Sequence, residues 1–149
     1  MARRNNYKAK SFSRGHVSTG QTEQHLKELG DHVLQAAKDA LKKGADVIVN
    51  DAKSRCPVYE GHKKNGRAYF AQDVTPGALK DSIKAESKRS GTVYQISANA
   101  KSRDGYLYGQ IVEFSPRVNR PFLYPAMEAH RDGVRQSIVQ AIQAAVKRG

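Results

Sequence analysis

Apolar residues recur at helical spacing along the first third of the chain. Leu26, Leu29, Val33, Ala36, Ala37, Ala40, Leu41, Ile48 and Ala52 mark one face of a long helix, with Thr22 placed to cap it and Glu23 in its first turn. Pro57 pushes Cys56 out of helical geometry, so the pattern predicts a helix from Thr22 to about Arg55. At ~1.5 Å per residue it would be on the order of 50 Å long, more than a small domain is wide. It therefore either breaks, at Gly30 or Gly44, or projects beyond its own domain.

The period then changes. Ile83, Ala85 and Ser87 alternate with Lys84, Glu86 and Lys88, while Tyr94, Ile96 and Ala98 alternate with Val93, Gln95 and Ser97. Ser90-Gly91 supplies a turn between them, which predicts a β-hairpin. From Tyr106 to Phe114 the pattern fits either a third antiparallel strand or a short helix packed on the sheet. Pro121 and Pro125 fix two φ angles around Phe122, Leu123 and Tyr124, which suits a rigid corner. Pro125 stands where a first helical turn tolerates proline. Met127, Val134, Ile138, Ala141, Ile142 and Ala145 then give an amphipathic C-terminal helix closing on Lys147, Arg148 and Gly149. The expected class is α+β: a small antiparallel sheet packed with a long N-terminal helix and a C-terminal helix.

Two stretches carry no such pattern. Residues 1–21 hold Arg3, Arg4, Lys8, Lys10 and Arg14 before the first acidic residue, Glu23, and predict a flexible basic arm that orders on a partner. Residues 58–76 mix Lys63, Lys64 and Arg67 with Tyr59, Tyr69 and Phe70 and predict a polar surface loop inserted into a single domain spanning 22–149.

Charge narrows the partners. A formal net charge of +12 and a pI near 10.0 imply contact with nucleic acid, an acidic protein surface or anionic lipid. A single cysteine leaves no disulfide framework, as suits a reducing compartment. No apolar run approaches a membrane span, and no apolar stretch follows the first arginines, so neither a membrane helix nor a secretory signal is expected and the chain is placed in the cytoplasm or in a particle assembled there.

No catalytic motif or cofactor site is expected. The sequence lacks a Gly-rich phosphate loop, a Gly-x-Ser-x-Gly elbow, His-Glu-x-x-His and paired cysteines. His25 and His32 stand about two helical turns apart, too far to share one ion by the usual i, i+4 pairing, and read as a solvated helix surface. Cys56 precedes a proline and lies near His62 without a third orienting group, so it reads as an inert thiol. Glu113, acidic within an apolar segment, is expected to pair with an arginine inside the domain or across a subunit contact.

Four segments in order carry a family likeness: Cys56-Pro57-Val58, Gly77-Ala78-Leu79-Lys80-Asp81-Ser82-Ile83, Val112-Glu113-Phe114-Ser115, and Pro121 to Ala126. Together they resemble the small neck proteins of long-tailed bacteriophages, called head-tail joining, tail-completion or tail-terminator proteins. The likeness runs from about Leu26 to the C-terminus. It departs from the family pattern at Ser115, where the family has glycine, and in the long insert after Pro57.

What the resemblance implies is a non-enzymatic structural protein in the virion neck, without cofactor. It implies a ring of identical copies, expected as a hexamer, between the tail-tube protein and a head-completion or connector protein, with genomic DNA close by and no membrane. Gly77, Leu79, Ser82, Ile83, Glu113, Phe114, Pro121, Phe122 and Pro125 become motif and subunit-interface residues. Arg3, Arg4, Lys8, Lys10, Arg14, Lys63, Lys64 and Arg67 become contacts to DNA or to an acidic partner. The rival reading is a small basic nucleic-acid-binding protein using the arm and the Lys63 to Arg67 segment on phosphate, although no recognition helix or ribonucleoprotein motif is present. A small nuclease is a third reading, and it lacks a convergent carboxylate cluster.

Overall fold

The computed structural model describes residues 20–59, 75–102 and 105–148, together with the backbone of 62–64 and 67–69. Along the chain stand α1 (Gly20–Arg55), β1 (His62–Lys64), β2 (Arg67–Tyr69), α2 (Ala78–Asp81), β3 (Ile83–Lys88), β4 (Val93–Ala98), α3 (Tyr108–Phe114) and α4 (Leu123–Arg148). This is an α+β fold with two separate two-stranded antiparallel sheets, β1-β2 and β3-β4.

The long first helix is continuous. Gly30 and Gly44 both lie inside α1, and Thr22, expected as its cap, falls within the first turn instead. Gly44 has a packing reason to be glycine: a Cβ there would lie 2.5 Å from Val134 Cγ1 on α4 and 3.2 Å from Val134 Cβ. The missing side chain lets α4 come close, and α4 runs antiparallel along α1. Asp51 Oδ2 meets His130 Nε2 at 3.0 Å further along the same seam. Residues 20–28 of α1 are all exposed, Leu26 among them, so the helix projects past the end of its partner rather than breaking.

The sheet lies on α1. β3 and β4 pair in the register Ile83↔Ala98, Ala85↔Ile96 and Ser87↔Tyr94, as the alternation predicts. Their connection runs through Arg89, Ser90 and Gly91 with φ of 48°, 55° and 85°, a left-handed turn that only Gly91 adopts without strain. Both strands contact α1, and α4 reaches the same core through Phe122 and Ala126 at its start. The expected sheet covered by two helices is thus a sheet on α1, with α4 alongside α1. Met127, expected on the buried face of α4, is exposed.

The ambiguous segment resolves as helix. Tyr108 and Val112 sit one turn apart and pack on the core. Gly109 between them faces the sheet, where a Cβ would lie 2.8 Å from the Ala98 carbonyl oxygen. A third strand would give up this close approach.

The inserted segment departs from the expected loop. β1 and β2 pair antiparallel as His62↔Tyr69, Lys63↔Ala68 and Lys64↔Arg67. Asn65-Gly66 stands between them in the sequence, and this dipeptide is a strong short-range hairpin signal.

Filling the Gly44 gap tests the α1/α4 seam. Val134 is β-branched and stiff at χ1, so it cannot swing aside cheaply. Gly44→Ala should cost about 1 to 3 kcal/mol through overpacking, despite alanine's better helix propensity. The double substitution with Val134→Ala should return part of that loss in a thermal melt.

Candidate functional site

The corner between α3 and α4 collects most of the motif residues. Gly77 opens α2 with φ 83°, a conformation that favours glycine. Leu79 and Ile83 on either side of α2 are buried, Ile83 completely. Ser82 Oγ donates to the Leu79 carbonyl at 2.7 Å and closes the turn between them. The Gly-x-Leu-x-x-Ser-Ile pattern is therefore a compact device that delivers two apolar side chains into the core.

Glu113 does something the sequence does not announce. It is 9% exposed on α3, and its carboxylate faces the start of α4. The Phe122 and Leu123 N–H groups donate to its Oε2 at 2.8 and 2.9 Å, and the Tyr124 N–H donates to Oε1 at 2.7 Å. A helix leaves its first four N–H groups without an internal partner. At α4 these belong to Phe122, Leu123, Tyr124 and Pro125, and proline has none to offer. One carboxylate and one proline thus account for all four, with the negative charge at the positive end of the helix. The arginine expected as the Glu113 partner is replaced by the backbone of α4.

Other motif residues divide into inward and outward groups. Phe122 is 1% exposed and occupies the core with Ile83, Ile48 and Ala126. Full burial of a phenylalanine contributes about 1.5 to 3 kcal/mol. Leu79, Ile83 and Phe122, expected at subunit contacts, are thus enclosed in the chain's own core. Phe114 is 75% exposed, Pro121 is exposed and Pro125 is half-buried. Ser115, the position where the family pattern has glycine, has φ −76°, so serine fits without strain; the positive φ comes later, at Asn119.

Two grooves flank α3. One, of about 510 Å³, lies between Pro57, Val58, Leu79, Tyr108, Val112 and Val118, with Arg120 at its edge. The other, of about 190 Å³, lies between α3 and β4 beside Phe114. Burial pushes the Tyr108 hydroxyl and the Cys56 thiol above their ordinary pKa values, which keeps both neutral and the thiol inert. Asp51 is held below its ordinary value first by Arg55, whose Nε donates to its two oxygens at 2.9 and 3.0 Å, and also by His130. These groups clasp helices and do not converge on a cavity.

The expected charged contacts lie elsewhere. Arg3, Arg4, Lys8, Lys10 and Arg14 fall outside the described residues. Lys63, Lys64 and Arg67 belong to the β1-β2 hairpin, and their side chains, like that of His62, also fall outside. His25 and His32 border a shallow groove beside Arg148 at the end of α4. Among the described residues no group of histidine, cysteine, aspartate or glutamate side chains could hold a metal ion, and no helix is long and apolar enough to cross a membrane.

Sequence reasoning missed Gly44, Gly109 and the Asp51–His130 pair. The glycines carried a signal, since each interrupts a helical apolar pattern where alanine would be favoured. Nothing local links Asp51 to a residue far along the chain.

A long α1, the Gly77 to Ile83 turn, the β3-β4 hairpin and the helix ending in Glu113-Phe114 define a structural module. The family model described as "Bacteriophage HK97-gp10, putative tail-component" matches residues 20–114, more than half of the chain, and the protein belongs to this family of bacteriophage tail components. The match ends where α3 ends, so α4 and its Pro121 to Ala126 start lie beyond it. No curated protein and no solved structure matches the chain.

The corner gives a direct test. Glu113→Ala leaves three backbone donors without their acceptor at a buried site, and should cost about 3 to 5 kcal/mol. Chemical denaturation of the purified variant measures this. Glu113→Gln, which keeps one acceptor oxygen, should fall between the variant and the wild type.

Proposed function

We propose that this tail component is a non-enzymatic tail-completion protein of the phage neck, working as a closed ring of identical copies that finishes the tail and joins it to the DNA-filled head. The observation that carries the ring is the incompleteness of the single chain. Among the described residues nine apolar side chains are buried, and four of these are alanines, while thirteen large apolar side chains are exposed. A chain with so small a core finishes its burial against other molecules. Family membership supplies the tail, and the four ordered motifs supply the neck. In this reading the tail-tube protein lies on one side of the ring and a head-completion or connector protein on the other.

Loss of the gene should leave assembly intact on both sides of one joint. Electron microscopy of a deletion phage should show DNA-filled heads beside unattached tails, or tails of faulty length. Normal infectious particles would refute the proposal.

The charge of +12 supports a second role, contact with the genome end. Arg3, Arg4, Lys8, Lys10 and Arg14 together neutralise up to about five phosphates, so log affinity for duplex DNA should fall against log salt with a slope approaching roughly −4.5. Removing residues 1–21 should flatten that slope. Binding should show little sequence preference, because such cations contact phosphate and read no base edges. An unchanged slope would assign DNA binding to the folded part, and a truncated chain that binds DNA as before yet fails to join heads to tails would assign the arm to a protein partner.

A further inference from the structure

The α3 corner presents two surfaces of opposite shape. On one side Ile111 and Phe114 protrude from α3, 52% and 75% exposed, and Tyr124 stands out beside them at 64%. Glu113 ties these together, because it precedes Phe114 and binds the Tyr124 backbone. On the other side lies the groove of about 510 Å³, whose walls include Val58, Leu79, Val112 and Val118. Successive helical residues are turned by about 100°, so Phe114 projects about 200° around α3 from Val112. The knob and the groove share one helix and face away from each other. They cannot meet within one chain.

We propose that Phe114 and Ile111 of one copy insert into the groove beside Val112 and Val118 of the next copy. This contact rests on the ring reading above. A protruding apolar patch and an apolar pocket on the same molecule form a head-to-tail contact, which closes into a ring when the rotation allows. The occupant is a second copy because a ring of identical chains needs two unlike apolar patches per chain, and α3 supplies both on opposite flanks. The groove is open and its rim residues Val58 and Val118 are exposed at 48% and 38%, so it stands ready to receive side chains without unfolding. Arg120 at its edge belongs to the polar rim that surrounds such a centre.

Mixing two broken copies tests this. Phe114→Asp removes the knob and leaves the groove; Val118→Arg blocks the groove and leaves the knob. Both positions are exposed, so the full-length variants should keep the wild-type melting temperature. In sedimentation velocity the wild type should run as a closed oligomer and each variant as a monomer. An equimolar mixture of the two should form dimers and nothing larger, because one intact knob then meets one intact groove. A monomeric wild type, variants that oligomerise like the wild type, or a mixture that stays monomeric overturns the contact. A phage carrying Phe114→Asp whose rings form normally but whose tails fail to mature would give the knob to another tail protein, and also overturns it. If that phage instead assembles normal tails the contact falls while the tail-completion reading stands; only the deletion phage bears on the reading itself.

Discussion

Three backbone N–H groups of α4 end on one carboxylate, and the arrangement of the molecule follows from that. A buried charge without partners would be strongly destabilising. Glu113 has no such deficit, because the start of a helix is a ready set of donors with a favourable dipole. The bonds fix where α4 begins and the angle at which the chain leaves α3. Phe122 is then held in the core beside Ile83, and α4 can run along α1 with Val134 against Gly44 and His130 against Asp51. The same geometry turns Phe114 and Tyr124 outward. One interaction thus both closes the subunit and exposes the residues through which it meets its surroundings.

The family match stops at Phe114, and the Glu113 bonds reach across that limit. α4 is therefore attached to the matched part by the last acidic residue within it. This suits a component in which a shared module of α1, sheet and α3 carries a C-terminal helix. The core those pieces build is small. Only Ile48, Cys56, Leu79, Ile83 and Phe122 among its buried side chains are larger than alanine. Stability of the isolated chain is accordingly modest, and additional burial between copies adds directly to it.

Much of this was legible along the chain, and for identifiable reasons. α1, β3, β4 and α4 each show their own apolar period over enough residues to be read. Pro57 and Pro125 mark helix ends by local sterics. The residues near the corner were visible as a motif, but not what they do. An acidic residue in an apolar segment suggests a buried partner, and the mind supplies an arginine; the true acceptor role depends on where another helix starts. Gly44 opposite Val134 and Asp51 opposite His130 are pairings set by the α1/α4 alignment, which no single segment encodes. The β1-β2 hairpin was different, since Asn65-Gly66 is a local signal that was outweighed by the polar, aperiodic residues around it. Tyr106 to Phe114 could go either way locally, and the close approach of Gly109 to Ala98 favoured the helix.

Native-state amide hydrogen exchange measures the central claim most directly, because it reads the three donors individually. If the Glu113 carboxylate closes the α3–α4 corner, the amides of Phe122, Leu123 and Tyr124 should exchange about as slowly as those in the β3-β4 ladder, opening only with the core. In Glu113→Gln they should exchange much faster while the ladder amides stay protected. Fast exchange of all three in the wild type would contradict the account, for it would mean that α4 starts without being held.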